Sequence, residues 1–205
     1  MAGKINTLEG IEPATPSASY GSTYIDSADG YLKHKDDAGA VTFLSRRNGF
    51  IDYNDGATAG TPITLVANTW TDITNDGAGS FGNSSYKPSG VTDLLDTATG
   101  YFDLTELAFG TVVFIRNDFT VTPTLANQIL EMRYSLGTGG SAYTLEKLIG
   151  RLDTGGGTPV PLALSADMLY VGDANTRDNP VKLQVRLTGA GTVVNQGSVI
   201  NVHYQ

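Results

Sequence analysis

Six residues of the sequence match the glycine spacing of a dinucleotide-binding turn. Residues 77–82 read Gly-Ala-Gly-Ser-Phe-Gly. In such a turn a strand comes first and a helix opens after the glycines, so that the helix N-terminus meets the pyrophosphate. The next residues, 83–88, read Asn-Ser-Ser-Tyr-Lys-Pro and are poor in helix formers. We therefore predict a loop between strands here and no cofactor site.

A second motif, Asp153-Thr154-Gly155, matches the Asp-Thr-Gly sequence of an aspartic-protease active site. That chemistry needs two carboxylates that share one proton. The sequence has no second triplet of this kind, and two further glycines follow the first one. We therefore predict a connection between strands rather than a catalytic aspartate.

The remaining side chains that do chemistry are few and scattered. The chain has two histidines, His34 and His203, and no cysteine, which is a poor set of zinc ligands. No Gly-x-Ser-x-Gly motif surrounds a serine nucleophile. Aspartates recur in turns without the spacing of an EF-hand loop, and Asp before Gly is an ordinary turn former. These aspartates are Asp26, Asp29, Asp36, Asp37, Asp52, Asp55 and Asp76. We predict no catalytic, cofactor-binding or metal-binding residue, and hence no enzyme.

Aromatic side chains offer one binding chemistry, because Trp70 and the ten tyrosines are able to form a platform for sugar rings. Aromatic residues in strands are more often part of a core or of a subunit contact. A carbohydrate-binding module therefore stays open as an alternative of another functional class.

Composition excludes several classes of protein. The 205 residues include 13 Lys and Arg against 21 Asp and Glu, for a net charge of -8, whereas nucleic-acid binders neutralise phosphates with basic residues. The absence of cysteine excludes a disulfide scaffold and an iron–sulfur protein. No apolar run approaches the ~20 residues of a membrane helix, and the first ten residues lack the apolar core of a signal peptide. We expect assembly in a cytoplasm, with neither nucleic acid nor membrane insertion.

Period-two alternation dominates residues 60–205. Residues 181–187 alternate Val, Leu, Val and Leu with Lys, Gln and Arg. Residues 111–121 do the same, with Asn117 as an exception, and residues 128–136 place Leu130, Met132, Tyr134 and Leu136 on one face. Eight or nine strands separated by glycine-rich turns predict an all-β protein, a jelly-roll β-sandwich. A seven-stranded immunoglobulin-like sandwich is the alternative, but it usually needs only ~100 residues.

Two smaller segments precede this domain. Residues 1–20 predict an extended arm, since two prolines three residues apart favour extended backbone. Residues 21–59 predict a small β-meander and linker, whose short strands bury little surface alone. We expect the arm to lie on a partner, with anchoring residues Ile5, Leu8, Ile11, Pro13 and Pro16.

Both parts of the chain resemble known virion proteins. Pro13-Ala14-Thr15-Pro16, with residues 24–39 (Tyr-Ile-Asp-Ser-Ala-Asp-Gly-Tyr-Leu-Lys-His-Lys-Asp-Asp-Ala-Gly), resembles a segment near the N-termini of tailed-bacteriophage fibre and decoration proteins. The main domain resembles the trimeric jelly rolls of the tumour-necrosis-factor/C1q type, most closely in residues 101–104 and 110–118. This family brings no shared catalytic residues.

The resemblance implies a homotrimeric capsid decoration or head-fibre protein located in the virion. The arm would bind the major capsid protein or another virion protein, the meander would form a trimeric neck, and the jelly roll would project outward. The implied trimer contacts are Tyr24, Tyr31, Ile200, Val202 and Tyr204. A tail-fibre or baseplate receptor-binding protein is the alternative within the same class, with a host-surface glycan as a further partner to test.

Overall fold

The computed structural model describes residues 9–28, 32–44, 48–54, 61–75, 80–88, 90–154 and 156–203. The chain divides into two compact units, Met1–Gly49 (unit 1) and Phe50–Gln205 (unit 2). The predicted boundary near residue 60 differs from this division, because strand Gly49–Asn54 is hydrogen-bonded into the larger sheet of unit 2. The described residues contain no helix long and apolar enough to span a bilayer.

Unit 1 contains a four-stranded sheet in which the strands follow the chain order. Its strands are β1 (Glu9–Gly10), β2 (Ser22–Asp26), β3 (Leu32–Lys35) and β4 (Val41–Phe43). Strands β2, β3 and β4 are antiparallel neighbours, as expected of a meander. Strand β1 lies within the segment predicted to be an extended arm on a partner, and it pairs in parallel with β2. Part of the arm is therefore a strand of the sheet.

Unit 2 is a sandwich of two mainly antiparallel sheets. Its strands are β5 (Gly49–Asn54), β6 (Ile63–Leu65), β7 (Thr71–Asp72), β8 (Ser80–Asn83), β9 (Val112–Pro123), β10 (Gln128–Leu136), β11 (Tyr143–Leu152), β12 (Val160–Ala163), β13 (Asp167–Tyr170), β14 (Lys182–Leu187) and β15 (Gly191–His203). One sheet has the order β11-β10-β14-β7. The other has the order β12-β9-β15-β5-β8, with β13 paired to β9 and β6 paired to β15.

The path of the chain between these sheets is that of a jelly roll. From β9 to β10, from β11 to β12, from β13 to β14 and from β14 to β15 the chain crosses from one sheet to the other. A short helix, α1 (Ala174–Arg177), lies in the β13–β14 connection, and the Asp173 side chain caps it by accepting from the Thr176 N–H at 2.8 Å. The prediction of an all-β jelly-roll sandwich is confirmed.

The alternating side chains form the core between the two sheets. Strand β14 buries Leu183, Val185 and Leu187, while Lys182, Gln184 and Arg186 point away from the core. Residues 128–136 form strand β10 rather than a helix, because the residues at spacing two are the buried ones. The inward residues of β9, β10, β14 and β15 join one hydrophobic cluster. Burial of this cluster is the main stabilising contribution to unit 2.

Candidate subunit interface

The sandwich of unit 2 is open along one side, between strand β11 of one sheet and strand β13 of the other. Strand β11 is the last strand of its sheet. A groove of about 140 Å³ lies at this opening. Met132, Tyr134 and Leu169 line it and are buried, whereas Leu145 and Met168, which also line it, are 43% and 59% exposed. The groove therefore joins the core to the protein surface.

Three exposed apolar side chains lie on β11, the edge strand beside this opening, and we call them the open edge. They are Tyr143, Leu145 and Leu148, each at least 40% exposed. Soluble monomers rarely expose large contiguous apolar patches, and an uncovered edge strand presents unpaired backbone groups to other chains. The open edge therefore has the chemistry of a surface that another protein covers.

A chain of hydrogen bonds runs from the core to the groove. The Ser198 hydroxyl donates to Asn117 Oδ1 at 2.7 Å, and Asn117 Nδ2 donates to the Tyr134 hydroxyl oxygen at 2.6 Å. The Tyr134 hydroxyl donates to Asp167 Oδ2 at 3.2 Å, and Lys147 Nζ donates to both Asp167 oxygens at 2.6 Å. This polar chain links both sheets of the sandwich and satisfies the buried groups along it.

The polar chain explains the exception in the alternation of β9. Asn117 is 2% exposed at a position where the pattern predicts an apolar residue, and its amide pairs with a tyrosine of the opposite sheet. Burial raises the pKa of Tyr134, and the nearby Asp167 charge raises it further, so the hydroxyl keeps its proton and acts as a donor. The Lys147–Asp167 ion pair then joins β11 to β13 across the opening.

A second apolar surface lies on the outer side of the larger sheet, and we call it the outer patch. Met168 is paired with Phe114, and Tyr170 and His203 are both paired with Val112. The rings of Phe114 and His203 meet edge to face, with centroids 5.4 Å apart. His203 is exposed and contacts an aromatic ring. Met168 and Tyr170 belong to the outer patch, and each is 59% exposed.

Two of the predicted trimer contacts lie inside the protomer. Ile200 and Val202 have no exposed surface and belong to the core cluster, so their side chains cannot touch another subunit, and this part of the prediction is wrong. The reason is a bulge between Asn195 and Gly197, which turns the even-numbered residues after it toward the core. Tyr31 and Tyr204 lie outside the described residues.

The third predicted contact, Tyr24, is 6% exposed and lies in the sheet of unit 1. Its hydroxyl has no hydrogen-bond partner within the part of the chain that the structure describes. Burial is the main cause that raises the pKa of Tyr24, and the Glu12 carboxylate adds to it. The side chain is thus held in the interior of unit 1 as a neutral phenol.

The predicted arm makes contacts within its own unit. Lys35 Nζ donates to Glu12 Oε1 at 2.6 Å and to the Pro13 carbonyl oxygen at 3.0 Å. Ile11 is 90% exposed, and Pro13 and Pro16 are partly exposed. Ile5 and Leu8 lie outside the described residues. The meander therefore supplies a surface for residues 9–13, where we had expected a partner to supply it.

Trp70 is occupied by side chains of its own sheet. The guanidinium groups of Arg133 and Arg186 lie 4.3 Å and 4.8 Å from its ring centroid. Arg133 is also paired with Glu146, and Arg186 with Glu131. A sugar ring that stacked on Trp70 would compete with these cation–π contacts. The structure therefore gives the carbohydrate-binding alternative no support at this residue.

Two sequence motifs, residues 77–82 and residues 153–155, matched a dinucleotide-binding turn and an aspartic-protease site. Residues 80–83 form strand β8, so a strand stands where we predicted a loop and where a dinucleotide-binding turn needs a helix. Residues 76–79 and Gly155 lie outside the described residues. Asp153 is exposed and paired with Arg151 at 2.7 Å. In the described part of each motif, residues 80–83 are a strand and Asp153 is an exposed member of an ion pair.

An acidic cleft of about 350 Å³ lies beside Asp96, Asp103 and Asp178. Each of these carboxylates already accepts hydrogen bonds from its own neighbours in the chain. The Ala98 N–H and the Thr99 hydroxyl lower the pKa of Asp96 in this way. Across the described ranges, no group of three or more His, Asp or Glu residues is placed to hold a metal ion. The aspartates of this cleft stabilise turns.

Comparison with known proteins finds similarity of structure but none of sequence. No protein-family model matches the sequence, and no curated protein matches it. The solved structure of the Eiger TNF from S. frugiperda is similar over 78% of this chain and 94% of that chain, with 11% sequence identity and a TM-score of 0.47.

Proposed function

We propose that this chain is a non-enzymatic structural protein of a tailed-phage particle, a homotrimeric decoration or head-fibre protein that resides in the virion. Two findings support the proposal. Residues 13–39 resemble a segment of phage fibre and decoration proteins. Unit 2 has two exposed apolar surfaces, the open edge and the outer patch, whereas the acidic cleft and the sequence motifs have the contacts of structural turns and strands.

The proposed trimer is argued from one observation: the open edge and the outer patch are formed by different residues. A contact between unlike surfaces leaves each subunit with one free surface of each kind, and such contacts close into a ring when the rotation allows it. In a threefold ring, the open edge of one subunit packs against the outer patch of the next. Every exposed edge strand of the open side is then covered.

In this proposal the trimer binds the major capsid protein or another virion protein on the phage particle. Ile11 is 90% exposed directly after strand β1. Ordering the segment before β1 on a surface costs on the order of 1–2 kcal/mol per residue. Three arms on one trimer offset that cost, because the first bound arm raises the effective concentration of the others.

Sedimentation equilibrium of the whole chain tests the assembly. We expect three times the 21.6 kDa mass of one chain at micromolar concentration. Leu145→Glu should give monomers, because a carboxylate would be buried in the interface. Leu125→Glu is the matched control, since Leu125 is 64% exposed in the turn after β9 and away from the open edge. A monomeric native chain, or a trimeric Leu145→Glu variant, would overturn the proposal.

Incorporation into assembled shells tests the location. Deletion of residues 1–8 removes the segment before β1 and keeps the strand and the contacts of Glu12 and Pro13. We expect this deletion to lower the amount of protein on purified shells while the trimer mass is unchanged. Equal incorporation would rule out the segment as the anchor. Binding of the purified protein to host cells in place of shells would favour the receptor-binding alternative.

A further inference from the structure

Two strands at the opening of unit 2 each direct a charged side chain between the sheets. Lys147 of β11 is paired in register with Met132, and Asp167 of β13 is paired with Ile115. Met132 and Ile115 have no exposed surface and belong to the core cluster. Side chains of directly paired residues point to the same side of a sheet, so Lys147 and Asp167 both face inward. A charge on the inward face of a strand is an informative departure from the usual burial pattern.

The neighbouring inward side chains at the opening are apolar. On β11 the inward residues before Lys147 are Tyr143 and Leu145, and on β13 the inward residue after Asp167 is Leu169. Strand β11 ends its sheet, and β9 is the one described strand that pairs with β13. An unpaired edge beside an apolar inward row is what a further strand needs in order to extend a sheet of a sandwich. The ion pair of Lys147 and Asp167 interrupts that row.

Strand β11 also carries a bulge. Leu148 is paired with Glu131 and Gly150 with Leu130, so Ile149 is an extra residue without a counterpart on β10. A bulge increases the local twist and shortens the stretch over which another strand can pair. Inward-facing charges and bulges are two of the features with which natural proteins protect edge strands from strand addition, and β11 has both.

Stability alone does not account for the ion pair. Lys147 Nζ and Asp167 Oδ1 are 2.6 Å apart, and the two side chains are 30% and 23% exposed. Charges that are withdrawn from water lose hydration, and apolar side chains of similar volume in their place often stabilise a fold as well or better. Asp167 also accepts a hydrogen bond from the Tyr134 hydroxyl, so its carboxylate has a partner besides Lys147. What the ion pair adds is charge at the opening.

We propose that the Lys147–Asp167 pair is a guard against strand addition, which keeps β11 and β13 from pairing with edge strands of other copies. An added strand would place its own inward side chains over the ammonium and carboxylate groups and remove their remaining water. Contacts through the exposed side chains of Tyr143 and Leu145 stay open, so the guard permits a partner that presents the face of a sheet.

The guard acts on the chain before it assembles, when the opening is uncovered. It does not require the homotrimer proposed above, because a monomeric chain would have the same opening. The two proposals therefore fail on different measurements.

Refolding of the whole chain from urea tests the guard. The double variant Lys147→Leu/Asp167→Leu makes the inward row apolar, and we expect at least about twofold more protein in assemblies larger than the native one, measured by sedimentation velocity. Thr144→Leu is the matched control, because Thr144 is exposed on the same strand and is paired with Ser135 on the outward side. It adds apolar surface to β11 without changing the inward row, so it should refold as the native chain does.

A charge reversal separates the guard from a general effect of substitution. Lys147→Asp/Asp167→Lys keeps two inward charges and their attraction, so we expect the native distribution of sizes. The larger assemblies of the double leucine variant should keep a β-type circular dichroism spectrum and a melting temperature equal to that of the native chain or above it. Assemblies that have lost the thermal transition count against the guard, since misfolding would then explain them.

Lys147→Leu alone is a second variant for the case in which the double variant does not fold. It keeps Asp167 and the hydrogen bond from Tyr134, and we expect the same gain in large assemblies. A native distribution of sizes from the folded leucine variants, or equal association of Thr144→Leu, overturns the guard. The mass of the native chain in the same runs decides the homotrimer separately.

Discussion

At the scale of single residues, the core of unit 2 contains polar groups whose partners come from distant parts of the chain. Asn117 lies on β9, its acceptor Tyr134 on β10, and its donor Ser198 on β15. An unpaired polar group in such a place costs more free energy than its hydrogen bond contributes when made. The polar chain therefore selects one alignment of the two sheets.

Replacement of Asn117 tests this role. Asn117→Ala leaves the Ser198 hydroxyl without its acceptor and the Tyr134 oxygen without its donor, so we expect a loss of about 1–3 kcal/mol in the free energy of unfolding. Urea unfolding, followed by the fluorescence of Trp70, measures it. Asn201→Ala on the exposed side of the same sheet is the control and should change stability little. An unchanged midpoint for Asn117→Ala would contradict the role of the polar chain.

Asp26 of unit 1 provides a prediction about pH. The hydrogen bond from Lys33 lowers the pKa of Asp26, and the Ala28 N–H lowers it further. Because the folded pKa lies below the unfolded one of about 3.9, the ionised carboxylate stabilises unit 1 above that pH, and this contribution is lost as the pH falls through the folded value. Carbon-13 NMR of the Asp26 carboxyl should show a midpoint below 3.9.

Lys33→Met should move that midpoint upward, because the main cause of the lowered pKa is removed. Lys35→Met is the control, since Lys35 pairs with Glu12 and its ammonium is not a cause of the Asp26 shift. Equal midpoints in the native chain and in Lys33→Met would show that the ion pair does not set the pKa of Asp26.

At the scale of elements, the bulge in β15 decides which side chains of the last strand face the core. Before the bulge Val193 and Asn195 are buried, and after it Ser198, Ile200 and Val202 are buried. Gly197 makes this possible, because its φ is +118° and a Cβ there would collide with the Tyr53 carbonyl oxygen. The bulge thus places His203 on the outer patch.

Gly197→Ala should therefore lower stability by about 2 kcal/mol or more, because both the backbone conformation and the close approach of β5 are disfavoured. Thermal unfolding measures the loss. Gly140→Ala is the matched control, since no atom lies within 4 Å of a Cβ at that position and its φ is ordinary. Equal melting temperatures for the two variants would contradict the steric argument.

At the scale of the whole molecule, the two units depend on different interactions. The hydrophobic core cluster lies entirely within unit 2. Unit 1 buries two lysines and an aspartate instead. Cooperative folding follows from apolar burial, so we expect unit 2 to fold alone and unit 1, whose described residues bury one hydrophobic side chain, Tyr24, not to do so.

A chain that begins at Gly49 keeps all strands of the larger unit and tests this difference. We expect it to fold, with a β-type circular dichroism spectrum and a cooperative thermal transition. Residues 1–48 alone should give neither signal at low concentration. A cooperative transition in the isolated short segment would show that its ion pairs suffice for folding.

The sequence by itself determined strands such as β10 and β14, their inward faces and hence the all-β class. Alternation in residues 128–136 and 181–187 is a local property, and the core uses the same residues. Only the tertiary structure decided that β5 joins the larger sheet of unit 2 and that Asn117 donates to the Tyr134 hydroxyl. It also decided that Ile200 and Val202 face the core. These outcomes depend on contacts between residues far apart in the chain and on a bulge that reverses the alternation. A period-two pattern is local, so it predicts neither the distant contacts nor the bulge.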